Sequence, residues 1–298
     1  MRVLVAGASG FVGAALISRL VDFESYEIMA LSRTGVVHDG LRSIKCDWKD
    51  AYCNKQVLAY SPHILINLVG SSHPRSSIGK EIDEIENALL PFMKLIKALE
   101  SAELKMVVFA SSAGAIYESG VSRVVRFPVD SAYGATKTSV EVYMQALSQS
   151  LHCSFVSLRI SNPVGFHNKE GFGVVNSFSE LVLHNLSPVF IGDFEVRKDY
   201  IDVSDVADAV VSVLSFADSF SGYSCYDVGS GRALNAVEIY ELISLFSECR
   251  DFSDFPFTSS ALDIDKLYRV TKWRSKIDVV SSMCKIFEVK KNFLGEFL

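Results

Sequence analysis

Between the apolar run Val3-Leu4-Val5-Ala6 and the amphipathic Ala14-Ala15-Leu16-Ile17 stands Gly7-Ala-Ser-Gly10-Phe-Val-Gly13. This order predicts a buried parallel strand, a tight turn at Gly7, and a helix opening at about Phe11. Gly10 lets a backbone approach a pyrophosphate, and Gly13 lets helix and strand pack closely. The helix N-terminus then offers N–H groups and partial positive charge to the phosphates. A glycine turn after a strand also occurs as plain structure, but the flanking strand and helix supply the context that dinucleotide binding requires. Gly7, Ser9, Gly10, Phe11, Val12 and Gly13 are therefore the expected cradle.

The rest of the first half keeps the same rhythm. Short apolar runs at 2–6, 27–32, 42–46, 63–69, 105–110 and 154–160 alternate with helical patterns near 11–21, 52–60, 81–101 and 131–151. Such alternation implies right-handed βαβ units and a parallel sheet covered on both faces. The fold class is thus α/β, a Rossmann-type doubly wound sheet. Residues 1–160 form the cofactor domain, with 195–228 returning to it. Residues 161–194 and 229–298 form a smaller C-terminal lobe over the carboxyl ends of the strands, carrying helices near 174–186, 235–248 and 276–291. Asn162-Pro-Val-Gly165 breaks the chain, and 167–173 reads as a glycine-rich loop.

Composition narrows the partners. The net charge of −6 over 298 residues argues against a nucleic-acid footprint. No apolar run reaches the roughly 18 residues of a membrane span. The six cysteines form no C-x-x-C pair and read as reduced residues of a cytoplasmic protein. The six histidines show no metal-ligand spacing, so no metal is expected.

Tyr133-Gly-Ala-Thr-Lys137 is the second signal. On a helix, Lys137 lies one turn from Tyr133. A phenol of pKa about 10 is a poor base near neutrality, and a nearby ammonium favours its ionised form. The pattern recurs at Tyr268-Arg-Val-Thr-Lys272, far from any cofactor strand, where it reads as structural. Tyr133 has better company: Val107-Val-Phe-Ala-Ser-Ser112 is a strand ending in hydroxyls, with Ser112 placed to hold a substrate oxygen. Ser112, Tyr133 and Lys137 are the candidate catalytic residues.

With these motifs in this order, the chain resembles an extended short-chain dehydrogenase/reductase of the nucleotide-sugar epimerase/dehydratase family. Further likeness lies in Leu158-Arg-Ile-Ser-Asn-Pro-Val-Gly165, Arg197-Lys-Asp-Tyr-Ile-Asp-Val-Ser-Asp205, Tyr226-Asp-Val-Gly-Ser-Gly231 and Asp263 to Trp273. The resemblance implies an NAD(P)-dependent oxidoreductase acting at C4 of a nucleotide sugar, and a homodimer built on the helices at 81–101 and 131–151. It places Asp47 at the adenine and has Trp48, Leu68, Val69, Gly70, Ala110, Ile160 and Pro163 line the cofactor. Asn87 supports the catalytic centre. Asn162, Val174 and one of Arg197 and Lys198 contact substrate.

Two departures refine the expectation. The second strand ends in Ser32-Arg33 with no carboxylate, which suits a 2′-phosphate and favours NADP over NAD. The triad serine is followed by Ala113-Gly114, where nucleotide-sugar 4,6-dehydratases carry Asp-Glu, so dehydration is discounted. The favoured reading is an NADPH-dependent 4-keto-sugar-nucleotide reductase. A 4-epimerase is the alternative, and a non-catalytic NADP-binding sensor is the rival of another class, disfavoured by the Tyr133/Lys137 pair.

Overall fold

Val3, Leu4, Val5 and Ala6 are wholly buried, because the strand they form lies inside a sheet covered on both faces. A computed structural model of the chain describes all residues except 71, 101, 118–130, 166–172, 191–193, 247–254, 256, 261 and 296–298. The first half runs β1 (Arg2–Ala6), α1 (Phe11–Leu20), β2 (Glu27–Ser32), β3 (Arg42–Lys45), α2 (Lys55–Tyr60) and β4 (Ile64–Asn67). It continues through α3 (Glu81–Glu84), α4 (Leu90–Ala98), β5 (Met106–Ser112), α5 (Ala113–Ile116), α6 (Ala132–Leu147) and β6 (Ser154–Ile160). The second half holds β7 (Asn162–Val164), α7 (Val174–Leu183), β8 (Lys198–Asp202), α8 (Val203–Ser215), β9 (Tyr223–Val228) and β10 (Arg232–Leu234). It closes with α9 (Ala236–Phe246), β11 (Thr258–Ser259), α10 (Ile264–Thr271) and α11 (Val279–Gly295).

Seven strands form one parallel sheet in the order β3-β2-β1-β4-β5-β6-β9. The order reverses between β1 and β4, the place where doubly wound sheets open a crevice for ligands. Strand alternation sorts the core into two layers. Val3 and Val5 join the cluster beneath α1 and α8, and Leu4 and Ala6 join the one beneath α4 and α6. Each fully buried aliphatic side chain contributes roughly 1.5–3 kcal/mol. A second, four-stranded sheet, β11-β10-β8-β7, carries the lobe. Its core lies among α7, α9 and α11, where Val175, Ile239, Leu242 and Met283 are buried.

Three expected boundaries move. Of 195–228, α8 and β9 return to the large body, while β8 packs Ile201 on its core but pairs with β7 and β10 in the small sheet. β4 ends at Asn67: the Leu68 N–H still reaches the Ala6 carbonyl at 3.0 Å, but the Asn67 carboxamide accepts the Val69 N–H at 3.0 Å and turns the chain there. The long helix expected over 81–101 is broken by a π-turn at Ile85–Leu89 between α3 and α4. Pro91 explains the break: it has no N–H, and its ring would meet the carbonyl four residues back in a continuous α-helix. The expected loop at 167–173 lies outside the described residues apart from Gly173. No helix among the described residues is long and apolar enough to cross a membrane.

Candidate active site

The glycine turn adopts the geometry its spacing predicts. Gly7 has φ of 82°, a conformation that residues with a Cβ rarely take. A Cβ on Gly13 would stand 2.2 Å from the Gly7 carbonyl oxygen, so α1 can lie this close to β1 only with glycine there. Gly10 caps α1 without a side-chain hydrogen bond, which keeps the helix start polar and positive for an anion.

Beside that turn runs a cleft of about 370 Å³. Gly7, Ser9, Gly10, Ser32, Arg33, Asp47, Trp48, Leu68, Val69, Gly70 and Asn87 all line it. The sequence reading thus brings residues from five separate segments to one crevice, at the point where strand order reverses. Phe11, Val12 and Gly13 stand behind its rim in the first turn of α1. Asp47 also accepts the Lys49 N–H at 3.2 Å. Asn87 lies on the π-turn, and its amide donates to the Asp83 carbonyl at 2.7 Å. The cleft fits a dinucleotide on an independent count. The Ser32 hydroxyl in its wall is buried and has no hydrogen-bond partner among the described residues, and such a group ordinarily has one.

The catalytic candidates meet at the cleft's inner end. β5 points alternate side chains to opposite faces, so Ser111 and Ser112 part company. Ser111 donates to the buried Glu141 at 2.6 Å, while the Ser112 hydroxyl hydrogen-bonds the Tyr133 phenol. The first turn of α6 is pinned twice. Ser131 accepts the Gly134 N–H at 3.1 Å, and Ser77 accepts the Tyr133 N–H at 3.0 Å. One turn along, Lys137 donates to the Ala110 carbonyl at 2.7 Å. Its ammonium stands 4.6 Å over the Phe109 ring and 5.5 Å from the Tyr133 ring centre.

The electrostatics differ from the sequence expectation. The ammonium was expected to draw Tyr133 toward phenolate. Burial dominates instead and pushes the phenol up to about 12; the Ser112 hydrogen bond lowers it and Glu84 raises it further. Burial likewise lowers Lys137 to about 8, against an upward pull from Glu84 and Glu141. These surroundings favour the protonated phenol, with the Ser112 hydroxyl beside it.

The substrate candidates are more scattered. Asn162 and Pro163 lie on β7, and the Asn162 amide donates to the Asp199 carbonyl at 2.8 Å. Ile160 is buried in the core. Val174 opens α7 and packs on the lobe core. Arg197 is held within the lobe, donating to Thr258 at 3.1 Å and paired with Glu238. Lys198 begins β8 on its exposed side. Neither cation is in the cleft lining. The second Tyr-x-x-x-Lys pattern lies on α10, with Tyr268 exposed and stacked under Arg274 at 4.2 Å. Its structural reading fits that place.

Sequence reasoning missed the acids of the site. Glu141, four residues past Lys137 on α6, is buried and held by Arg159 of β6 at 3.1 and 2.6 Å. The i,i+4 spacing from Lys137 was its available signal. Glu84 is 2% exposed and accepts from Ser72. It gave no signal, being one of several acids in Glu81-Ile-Asp-Glu84-Ile-Glu86.

The chain is similar over its full length to known proteins. UDP-glucose 4-epimerase of Mycolicibacterium smegmatis is 25% identical, with 98% of this chain and 99% of that one covered. The dTDP-4-dehydro-6-deoxyglucose reductase of Escherichia coli is 24% identical, with 96% of each covered. The structure of Thermus thermophilus UDP-glucose 4-epimerase in complex with NAD superposes with a TM-score of 0.78 at 26% identity, covering 97% of this chain and 99% of that one. Residues 3–229 match the model of the NAD dependent epimerase/dehydratase family. With its parallel sheet, its glycine turn and its Ser112, Tyr133 and Lys137 side by side, the chain is an enzyme and belongs to that family.

Proposed function

We propose that the protein is an NADPH-dependent reductase of 4-keto nucleotide sugars. One observation carries the reading: the half-buried Tyr133 phenol stands at the inner end of the cleft beside Ser112 and Lys137, and desolvation there favours its protonated form. When bound, the cofactor supplies the hydride. Ser112 donates to the keto oxygen, and Tyr133 gives that oxygen its proton as charge develops on it. Lys137 then faces a phenolate and stabilises it. The large sheet binds the cofactor through the glycine turn, and the lobe built on the small sheet binds the nucleotide sugar.

Ser32 and Arg33 favour NADP. A buried hydroxyl in want of a partner, beside an exposed guanidinium, suits the 2′-phosphate. The protein is further proposed to be a cytoplasmic homodimer. Ile82 (65% exposed) on α3 and Val142 (59%) on α6 leave apolar surface on the two helical segments that the family resemblance puts in the contact. The five described cysteines are all free, as in a reducing compartment.

A 4-epimerase is the second reading, favoured by the name of the Mycolicibacterium relative. The test uses purified protein with UDP-, dTDP- and GDP-linked 4-keto sugars and either NADPH or NADH. The reductase reading expects stoichiometric NADPH oxidation, tighter binding of NADPH than NADH, and about a 10³-fold loss of turnover in Tyr133→Phe. Cofactor that co-purifies, resists dialysis and is not consumed during turnover would establish the epimerase. A Tyr133→Phe enzyme with most of its turnover would remove Tyr133 from the chemistry.

A further inference from the structure

Tyr133, Lys137 and Glu84 line a recess of about 10 Å³ behind the cleft, together with Trp48, Asn67 and Thr136. Glu84 lines the cleft as well, so it stands between the cofactor site and the catalytic pair. It is the last residue of α3, immediately before the π-turn. π-turns of this kind are frequent at functional sites.

The surroundings of Glu84 are poor in donors for so buried a carboxylate. Ser72 donates to it. The Trp48 indole N–H, in the same recess, has no partner among the described residues. Glu141, the other acid near Lys137, is different: Arg159 and Ser111 already saturate it. From α6 itself, then, Lys137 faces a neutralised acid. From α3 it faces Glu84, while Asp83 and Lys80 lie out on the cleft wall. Among the described residues, no other titratable group lines the recess.

We propose that Glu84 is a positioning residue of the catalytic centre, whose negative charge keeps the proton on the Tyr133 phenol and the charge on Lys137, and so sets the site to give a proton. The inference rests on the reductase reading for its purpose, and on the recess for its physics. A carboxylate there acts on both partners in the same sense. It disfavours a second negative charge on Tyr133 and favours the positive charge on Lys137. Both effects hold the resting state in which the acid is loaded. A site working mainly in the opposite direction, accepting a proton from a sugar hydroxyl, would be hindered by it.

The test reads Lys137 directly and needs no substrate. In protein carrying ¹³C-labelled lysine side chains, the Lys137 signal is assigned through Lys137→Met and followed with pH. Burial lowers the parent step from the ordinary lysine range to about 8. Glu84→Gln, which keeps the size and the acceptor for Ser72, is expected to move the step down by about one pH unit. Glu84→Asp restores it toward the parent. Glu84→Met serves where the amide fails to fold, because it removes charge and hydrogen-bond demand together. A Lys137 step that stays in place in both neutral variants overturns the proposal. With an accepted substrate, the alkaline limb of the reduction rate also moves to lower pH in Glu84→Gln. Lack of turnover on every 4-keto sugar nucleotide would count against the reductase reading alone, since the titration stands without it.

Discussion

The junction aspartates and Glu84 are buried carboxylates held in opposite ways. At the junction of the two sheets, Asp205 at the start of α8 accepts from Ser275 Oγ at 2.7 Å and from the Lys276 and Ile277 N–H groups at 3.0 and 2.8 Å. Asp199 on β8 accepts the Ser230 and Gly231 N–H groups, each at 2.9 Å. Asp227 on β9 takes the Tyr117 hydroxyl at 2.6 Å and the Asp263 N–H at 2.9 Å. Behind the cleft, Glu84 has the Ser72 hydroxyl and the neighbouring Lys137 and Tyr133. Acids ringed by backbone donors are staples, since their hydrogen bonds replace water fully. An acid left short of donors beside two titrating side chains is available to act on them.

This contrast also explains the family segments. The aspartates of Lys198-Asp199-Tyr200 and Tyr226-Asp227-Val228 tie lobe to sheet. Their place in the motifs reflects how the lobe is mounted, whatever the substrate.

Three stability measurements can break or sharpen the comparison. Asp205→Ala should have the largest effect, a loss of about 3 kcal/mol by urea denaturation, because it strands two backbone N–H groups and a hydroxyl at once. A loss below about 1 kcal/mol would show that the junction acids are not staples. Lys137→Met should abolish turnover yet stabilise the cofactor-free protein at pH 7 by about 2 kcal/mol, the orphaned Ala110 carbonyl offsetting part of the gain. The sign follows from the lowered Lys137 value of about 8 against 10.5. Between those values the unfolded chain holds the extra proton, so parent stability is fully present above 10.5 and falls as pH drops toward 8. The Met variant lacks that slope. Glu84→Gln should be smallest, changing stability by less than about 1 kcal/mol, since the Ser72 hydrogen bond survives. A cost as large as that of Asp205→Ala would place Glu84 among the staples.

Much of the scaffold was legible in the sequence because its signals are local. A strand, a glycine turn and a helix follow one another within Val3–Ile17, and sterics at Gly7 and Gly13 leave little choice. Tyr133, Lys137 and Ser112 were legible because helix periodicity and strand ends fix their direction. The lobe was harder: β8 is short and mixes charged with apolar residues, and its partners β7 and β10 are distant in sequence. Glu84 was illegible, since its burial depends on a π-turn provoked by a proline seven residues later. The Arg197–Glu238 pair was not legible, because the segment around Arg197 carries no record of a partner on α9.

That π-turn deserves to be read as a gear. One residue too many in a helix rotates everything before it by about 100° relative to everything after. α4 packs its apolar side on the sheet through Phe92, Leu95 and Ile96, so α3 is the part that turns. The acid behind the catalytic pair is therefore aimed by the length of the chain as well as by its chemistry. Shortening Ile85–Leu89 by a single residue would re-aim Glu84 and Asn87 together while leaving Ser112, Tyr133 and Lys137 in place. An insertion or deletion here, more than a substitution, would change what surrounds Ser112, Tyr133 and Lys137.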